Sequence, residues 1–191
     1  MVRAFLPGAV DGHALDRILD AGRRAPAAGN TAEGRAFVVL DEPSRYWDVA
    51  LPSGARREAF AWPGLLAAPV LVVLCVRPEA WAERYAADDK DRAATLGSGP
   101  DAWPQPFWWV DAGLSIEAML LAARAEGLGA CLFGLFEREV EVLAALGVPG
   151  GWRGVAVVAI GHPDPAGDPR PGRSAGRPRP PLDEVVHRNR W

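Results

Sequence analysis

The residues of this chain best suited to chemistry are cations and aromatic rings, not acids, bases or nucleophiles. From residue 170 onward there are six arginines (Arg170, Arg173, Arg177, Arg179, Arg188 and Arg190) against two acids, Asp183 and Glu184, while the rest carries fifteen basic and twenty-two acidic residues. An arginine-rich end on an acidic protein suits an anionic partner, and guanidinium forks match phosphate oxygens bidentately. The second concentration is Trp103-Pro-Gln-Pro-Phe107-Trp108-Trp109, with three of the eight tryptophans. So rigid a patch is either loop packing or a pocket wall. His13, His162 and His187 lack zinc-site spacing, and neither a Gly-x-Ser-x-Gly elbow nor a Walker loop occurs. The glycines at 127, 129 and 134 follow a helical stretch, whereas a dinucleotide fingerprint follows a strand. Chemistry on such a chain is expected to come from a bound cofactor.

These residues must be positioned by a scaffold whose class the composition bounds. With 191 residues, nearly half of them apolar, a single domain spanning 1–191 with a substantial core is expected. A net charge of −3 gives no general attraction to nucleic acid. The apolar stretches are shorter than the ~20 residues of a membrane span, so no membrane partner and a cytoplasmic location are expected. Cys75 and Cys131 have no Cys-x-x-Cys spacing and read as reduced packing residues.

Helical and extended segments alternate along the chain. Asp11 is placed to cap a helix with Leu15, Ile18 and Leu19 on one face, ending near Ala25 before Pro26. Strands are expected at 36–40, 70–76 and 155–160, with a short extended segment at 129–136. The run from Val70 to Val76 is continuously apolar, which suits burial on both faces. Weaker helical stretches cover 46–51 and 55–66, and an amphipathic helix covers 137–146. Residues 77–109 read as an irregular surface excursion. Asp111 is placed to cap a helix over 112–126, stopped by Gly127. That helix is apolar on nearly every side, which makes it a central helix, a subunit interface, or both. In the arm over 164–191, Leu182, Val185, Val186 and Trp191 are expected to dock the tail, with Arg170 and Arg173 as solvated linker.

Several short motifs occur in a telling order. They are Arg23-Arg-Ala-Pro26-Ala-Ala-Gly29-Asn30-Thr31 before a strand, Asp111-Ala-Gly with the apolar helix, Leu121-Ala-Ala-Arg-Ala-Glu-Gly127-Leu-Gly129, Phe133-Gly134, Leu146-Gly-Val-Pro149, Ile160-Gly161-His-Pro163, and Arg177-Pro-Arg179-Pro-Pro-Leu. The series resembles the nitroreductase-like FMN oxidoreductases and spans most of the chain. The resemblance implies an α+β fold, with a central mixed or antiparallel sheet surrounded by helices. It also implies a homodimer, with the buried helix at the interface and two FMN molecules bound there. Arg3, with Arg177 and Arg179 from the tail, would hold the flavin phosphate. Asn30, beside Ala27 and Ala28, would bond the flavin's polar edge or ribityl chain; by itself it is equally a turn residue. Backbone at Phe133 and Gly134 would reach flavin N5, where a glycine allows close approach. After Asn30 the chain reads Ala32-Glu33-Gly34-Arg35, where the family has glutamine and then a tryptophan near the strand.

The implied activity is ping-pong hydride transfer. NAD(P)H reduces the flavin and leaves, and a flat acceptor such as a nitroaromatic, quinone or flavin takes its place. No protein side chain is required as a catalytic group. Trp62, Tyr85, Trp103, Phe107, Trp108 and Trp109 are the expected pocket wall, since flat aromatic substrates favour offset stacking. The same scaffold would also serve a non-catalytic or weakly active dimeric flavin-binding module, or a specialised flavin dehydrogenase of a natural-product intermediate.

Overall fold

In the computed structural model, which describes residues 1–167 and 176–191, the apolar run Val70–Val76 forms β2 and all seven of its residues are buried. Such a strand needs cover on both faces and neighbours on both edges. Its neighbours are β1 (Arg35–Leu40) and β4 (Arg153–Gly161), and β3 (Gly129–Phe133) pairs with the far side of β4. All pairings are antiparallel, in the order β1-β2-β4-β3, with a register shift at Leu74/Cys75.

The alternation along β2 divides the core. Val70, Val72, Leu74 and Val76 face one cluster with Ile18 of α1 (Gly12–Arg24) and Ala112, Ile116 and Met119 of α5 (Phe107–Ala125). Leu71, Val73 and Cys75 face a second cluster with Tyr46 and Trp47 of α2 (Ser44–Ala50) and Val142 and Leu143 of α6 (Glu139–Ala145). The result is an α+β fold in three layers. Each fully buried aliphatic side chain contributes about 1.5–3 kcal/mol, so the strand is fixed in register by what its two faces bury.

Helix boundaries follow local chemistry. Asp11 caps α1 as expected, its Oδ1 accepting from the Ala14 amide at 2.9 Å. The stretch expected as one helix over 55–66 is split into α3 (Ala55–Glu58) and a 3₁₀ turn at Pro63–Ala67. The excursion at 77–109 is more regular than expected. It opens with α4 (Glu79–Tyr85), whose Trp81 is fully buried in the first core cluster, and continues as 3₁₀ turns over Asp88–Ser98 and Pro100–Ala102.

The long helix α5 also corrects the expected start. It begins at Phe107, so Asp111 sits inside its second turn and caps nothing; Trp108 packs its ring against Trp81 and Trp103 and draws the preceding turn into the helix. Its other end matches expectation: Gly127 has φ +73, and the Leu128 amide donates to Ala123 O at 2.9 Å, a glycine-dependent close. One face of α5 carries the buried residues Trp108, Asp111, Ala112, Ser115, Ile116, Met119 and Ala123. The opposite face leaves Phe107, Val110, Leu114 and Leu121 between 39% and 62% exposed.

The tail does not dock on its own chain. It ends in α7 (Leu182–Val185), and every residue from 176 to 191 is exposed, including the apolar Leu182, Val185, Val186 and Trp191. Trp191 stacks on His187, with ring centroids 4.2 Å apart. Arg170 and Arg173 lie outside the described residues. Among those described, no helix is long and apolar enough to cross a membrane.

Candidate functional site

The connection from α1 to β1 is held peptide by peptide. Ala25 O accepts from Arg35 Nη2 at 3.1 Å, the Ala28 amide donates to Asp111 Oδ2 at 2.8 Å, and Gly29 O accepts from Arg84 Nε at 2.9 Å. Arg84 is itself gripped by Asp89 through two bonds of 2.6 Å. Gly29 takes φ +64 beneath the Tyr85 ring, where an added Cβ would come within 2.6 Å of Tyr85 Cε2. Asn30 follows with φ +57, a conformation asparagine tolerates better than most residues, and its side chain faces outward.

Behind this loop lies a buried polar cluster. Asp111 is 2% exposed, and the same Oδ2 accepts from Trp81 Nε1 at 2.8 Å. Arg35 Nη1 donates to Ser115 Oγ at 2.6 Å. Burial pushes the Arg35 pKa down, and the charge of Asp111 pulls it back up. A buried carboxylate without such partners would be costly.

On the opposite face of the sheet lies a cavity of about 1080 Å³ between α2, α3, residues 59–65 and the turn after β3. Its wall is aromatic: Tyr46, Trp47, Phe60, Trp62 and Phe133 line it, with Gly134 at the turn. Trp47 stacks on Phe133 at 5.5 Å and 13°, with Tyr46 edge-on to both. Burial pushes the Tyr46 phenol up to about 12, so it is neutral at physiological pH. The Arg3 guanidinium lies 4.6 Å above the Trp62 ring, and Arg56 lines the cavity. Neither arginine has an ion-pair partner among the described residues, whereas Arg138, also lining the cavity, pairs with Glu141. The Cys75 thiol, raised to about 11 by burial, is no nucleophile.

A family model described as the nitroreductase family matches residues 1–162. This chain belongs to that family. The 5,6-dimethylbenzimidazole synthase of Rhodospirillum rubrum is 30% identical over 178 residues, covering 85% of this chain and 77% of that protein. The 4-nitrobenzoate reductase of Pseudomonas putida is 28% identical over 151 residues, 68% of this chain and 66% of that protein. The NADPH:FMN oxidoreductase of Vibrio harveyi, solved in complex with NAD+, shares the fold with a TM-score of 0.67 at 20% identity, over all of this chain and 73% of that one.

Within this nitroreductase-family chain, the residues expected at the site fall into separate groups. Trp62, Phe133 and Gly134 line the cavity, and Arg3 rests on Trp62. Ala27, Ala28 and Asn30 form a second group with Tyr85, whose ring meets Trp103 edge-on at 4.8 Å. Trp103 and Trp108 are each only 8% exposed, and Trp103 Nε1 donates to Leu96 O at 3.0 Å, so these two rings serve the core. Phe107 lies at their edge, and Trp109 sits below Arg153 at 5.9 Å. Arg177 and Arg179 are exposed on the tail.

Sequence reasoning missed Asp111, Arg35, Trp81 and Arg84 as supports of the loop. An acid one turn into a largely apolar helix was the available signal, since burial demands partners. It also missed Tyr46, Trp47, Phe60 and Arg56 as cavity residues, whose only signal was an aromatic pair in a weakly helical stretch.

Proposed function

We propose that this chain is an FMN-dependent oxidoreductase that works as a homodimer and passes hydride from NAD(P)H to a flat acceptor such as a nitroaromatic, quinone or flavin. The observation that carries the reading is the aromatic cavity that ends at Phe133-Gly134 and has beside it two arginines, Arg3 and Arg56, without an ion-pair partner among the described residues. The donor set fits a flavin mononucleotide: flat walls for a ring system, and guanidinium groups for a phosphate of about −1.5 to −2 charges. Family membership supports the redox class, and the name of the Vibrio relative supports FMN as the cofactor and a nicotinamide as co-substrate.

The flavin, when bound, supplies the hydride chemistry; the chain's residues bind, orient and exclude water. Arg3 holds the phosphate, joined by Arg177 and Arg179 from the tail. Phe133 and Gly134, at the cavity, would stand beside the flavin ring; because the 25–30 loop lies on the other face of the sheet, Asn30 would reach the polar edge or ribityl chain of the flavin held by the other subunit. The homodimer is supported by two apolar surfaces that one chain leaves bare: the α5 face of Phe107, Val110, Leu114 and Leu121, and the Leu182, Val185, Val186 and Trp191 surface of the tail. Through such an interface the tail of one subunit reaches the site of the other.

The test is a spectrum of the purified protein, followed by NADPH oxidation on addition of a quinone. Flavin bands and quinone-dependent NADPH consumption are expected. A protein that stays colourless after incubation with excess FMN overturns the reading. A second reading, a specialised biosynthetic activity, is favoured by the 30% identity to the dimethylbenzimidazole synthase. It predicts flavin bands without sustained quinone-dependent turnover.

A further inference from the structure

We infer that Asp111 is a positioning residue: its buried carboxylate holds the 25–30 loop in the shape that receives the cofactor, and Trp81 fixes the carboxylate's orientation. This rests on the flavin reading above for the identity of the ligand, but the anchoring is visible in the chain itself.

Asp111 lies in α5, between the sheet and the loop, at 2% exposure. Nothing about helix formation asks for an acid there, because the helix starts four residues earlier and the carboxylate caps no amide of its own turn. Instead one oxygen, Oδ2, takes two donors from different elements: the Ala28 amide, 83 positions away in sequence, and the Trp81 indole of α4. The backbone oxygen of Asp111 accepts a longer bond from Arg35 Nη1 at 3.4 Å, and the other nitrogen of that guanidinium holds Ala25 O at 3.1 Å. The peptide groups on either side of Pro26-Ala27 are therefore tied to one buried acid and one half-buried base. Arg84 and the Tyr85 ring, both on α4, fix Gly29 one residue further on.

The position of Trp81 is fixed from its other side as well. A Cβ on Gly34 would stand 2.1 Å from Trp81 Cζ3, so the indole lies flush against the loop's return into β1. An indole so confined can offer its N–H in one direction only, toward Asp111. With the loop held at 25, 28 and 29, Asn30 is presented outward in its left-handed conformation before any ligand arrives. Preorganisation of this kind lowers the ordering cost of binding.

The test uses the full chain with Asp111→Asn, Asp111→Ala and Ala28→Pro. Ala28→Pro removes the loop's donor without emptying the core, and Ala27, extended at φ −144 and ψ 143, suits a following proline. FMN affinity is read by flavin fluorescence quenching, and exchange of the Ala28 amide by NMR on cofactor-free protein. Losing one hydrogen bond to a charged group should raise the FMN dissociation constant about tenfold or more in Asp111→Ala and Ala28→Pro. Asp111→Asn, which keeps an acceptor oxygen, should stay within about threefold of the parent by the same conversion. The Ala28 amide should exchange faster in Asp111→Ala while amides of β2 stay protected. Parental FMN affinity in Ala28→Pro, or unchanged Ala28 exchange in Asp111→Ala, overturns the inference. If Asp111→Ala does not fold, Ala28→Pro and the rescue by Asp111→Asn decide it. If the parent itself binds no FMN, the flavin reading fails, and the exchange measurement alone decides whether Asp111 anchors the loop.

Discussion

In the proposed homodimer, placing a charge at Leu114 should separate the subunits without unfolding either one. Leu114 lies on the outward face of α5, 43% exposed, with Phe107 at 39%, Val110 at 49% and Leu121 at 62%. Together they leave about two whole apolar side chains' worth of surface uncovered. At about 1.5–3 kcal/mol per fully buried side chain, covering that surface contributes about 3–6 kcal/mol per subunit and about 6–12 kcal/mol across a symmetric pair. Micromolar association corresponds to about 8.2 kcal/mol, so this face supplies much of a dimer's stability before the cost of association is counted. In Leu114→Asp the lost burial amounts to about 2 kcal/mol over the pair. Two desolvated carboxylates add several kcal/mol more. A combined loss of at least about 4 kcal/mol is about a thousandfold in the dissociation constant. Sedimentation velocity over a concentration series reads this directly, with circular dichroism to verify that the subunit remains folded. The choice of residue matters. Leu120, on the same helix, is partly buried against the subunit's own core, so a charge there would unfold the chain and say nothing about its partner. A Leu114→Asp protein that dimerises like its parent would refute the interface reasoning.

Three further outcomes are expected. Replacing both Arg177 and Arg179 with alanine should raise the FMN dissociation constant by about two to four orders of magnitude, since each charge-assisted bond is worth about 1.5–3 kcal/mol; unchanged affinity by fluorescence titration removes the tail from the site. Gly34→Val should destabilise by more than the about 1–3 kcal/mol usual for overpacking, because its Cβ would meet the fully buried Trp81 ring at 2.1 Å; a urea midpoint equal to the parent's would contradict the packing. The Asp89 carboxyl, held down to about 2 first by its hydrogen bonds from Arg84, should titrate there by NMR. Because its folded pKa lies below the unfolded value near 3.9, the stabilisation it gives the Arg84 anchor is present above that value and is lost as pH falls toward 2. A midpoint at or above 3.9 would mean that the pair does not form.

The sheet was legible because each strand carried its own burial pattern. The continuously apolar run Val70 to Val76 suited a strand covered on both faces, and the glycine after Glu126 stood where a left-handed close is expected; both are found. Where two local signals competed, the pattern misled. Asp111 followed by Ala-Gly looks like a cap, but the driving term is the burial of Trp108 one turn earlier, a tertiary contact with Trp81 that sequence spacing does not encode. The same holds for residues 77–109, whose charges advertise a surface while Trp81 among them anchors the core. The site was legible only as separate motifs. Trp62 and Phe133 lie 71 positions apart and share a cavity because α2 and α3 fold across the second face of the sheet, a placement with no local signature.

The separate motifs share one physical deficiency, and it links cofactor binding to assembly. Among the described residues, Arg3 stands at the cavity with no carboxylate partner, while Arg177 and Arg179 sit on an arm whose apolar residues Leu182, Val185, Val186 and Trp191 are exposed. On the proposed reading a single chain presents half of an anion site and an uncovered tail, and one rearrangement, docking the arm on a second copy, would satisfy both. If the arm of one subunit completes the site of the other, FMN affinity must depend on protein concentration even though no flavin contact lies on α5. Linkage then runs both ways: FMN tightens the dimer by the same factor by which dimerisation tightens FMN. The Leu114→Asp protein should therefore bind FMN weakly at low concentration and recover affinity as its concentration approaches the shifted dimer constant. Affinity that is equal in monomer and dimer would mean that each subunit holds its flavin with its own arginines, and the tail would have to fold back on the chain that carries it.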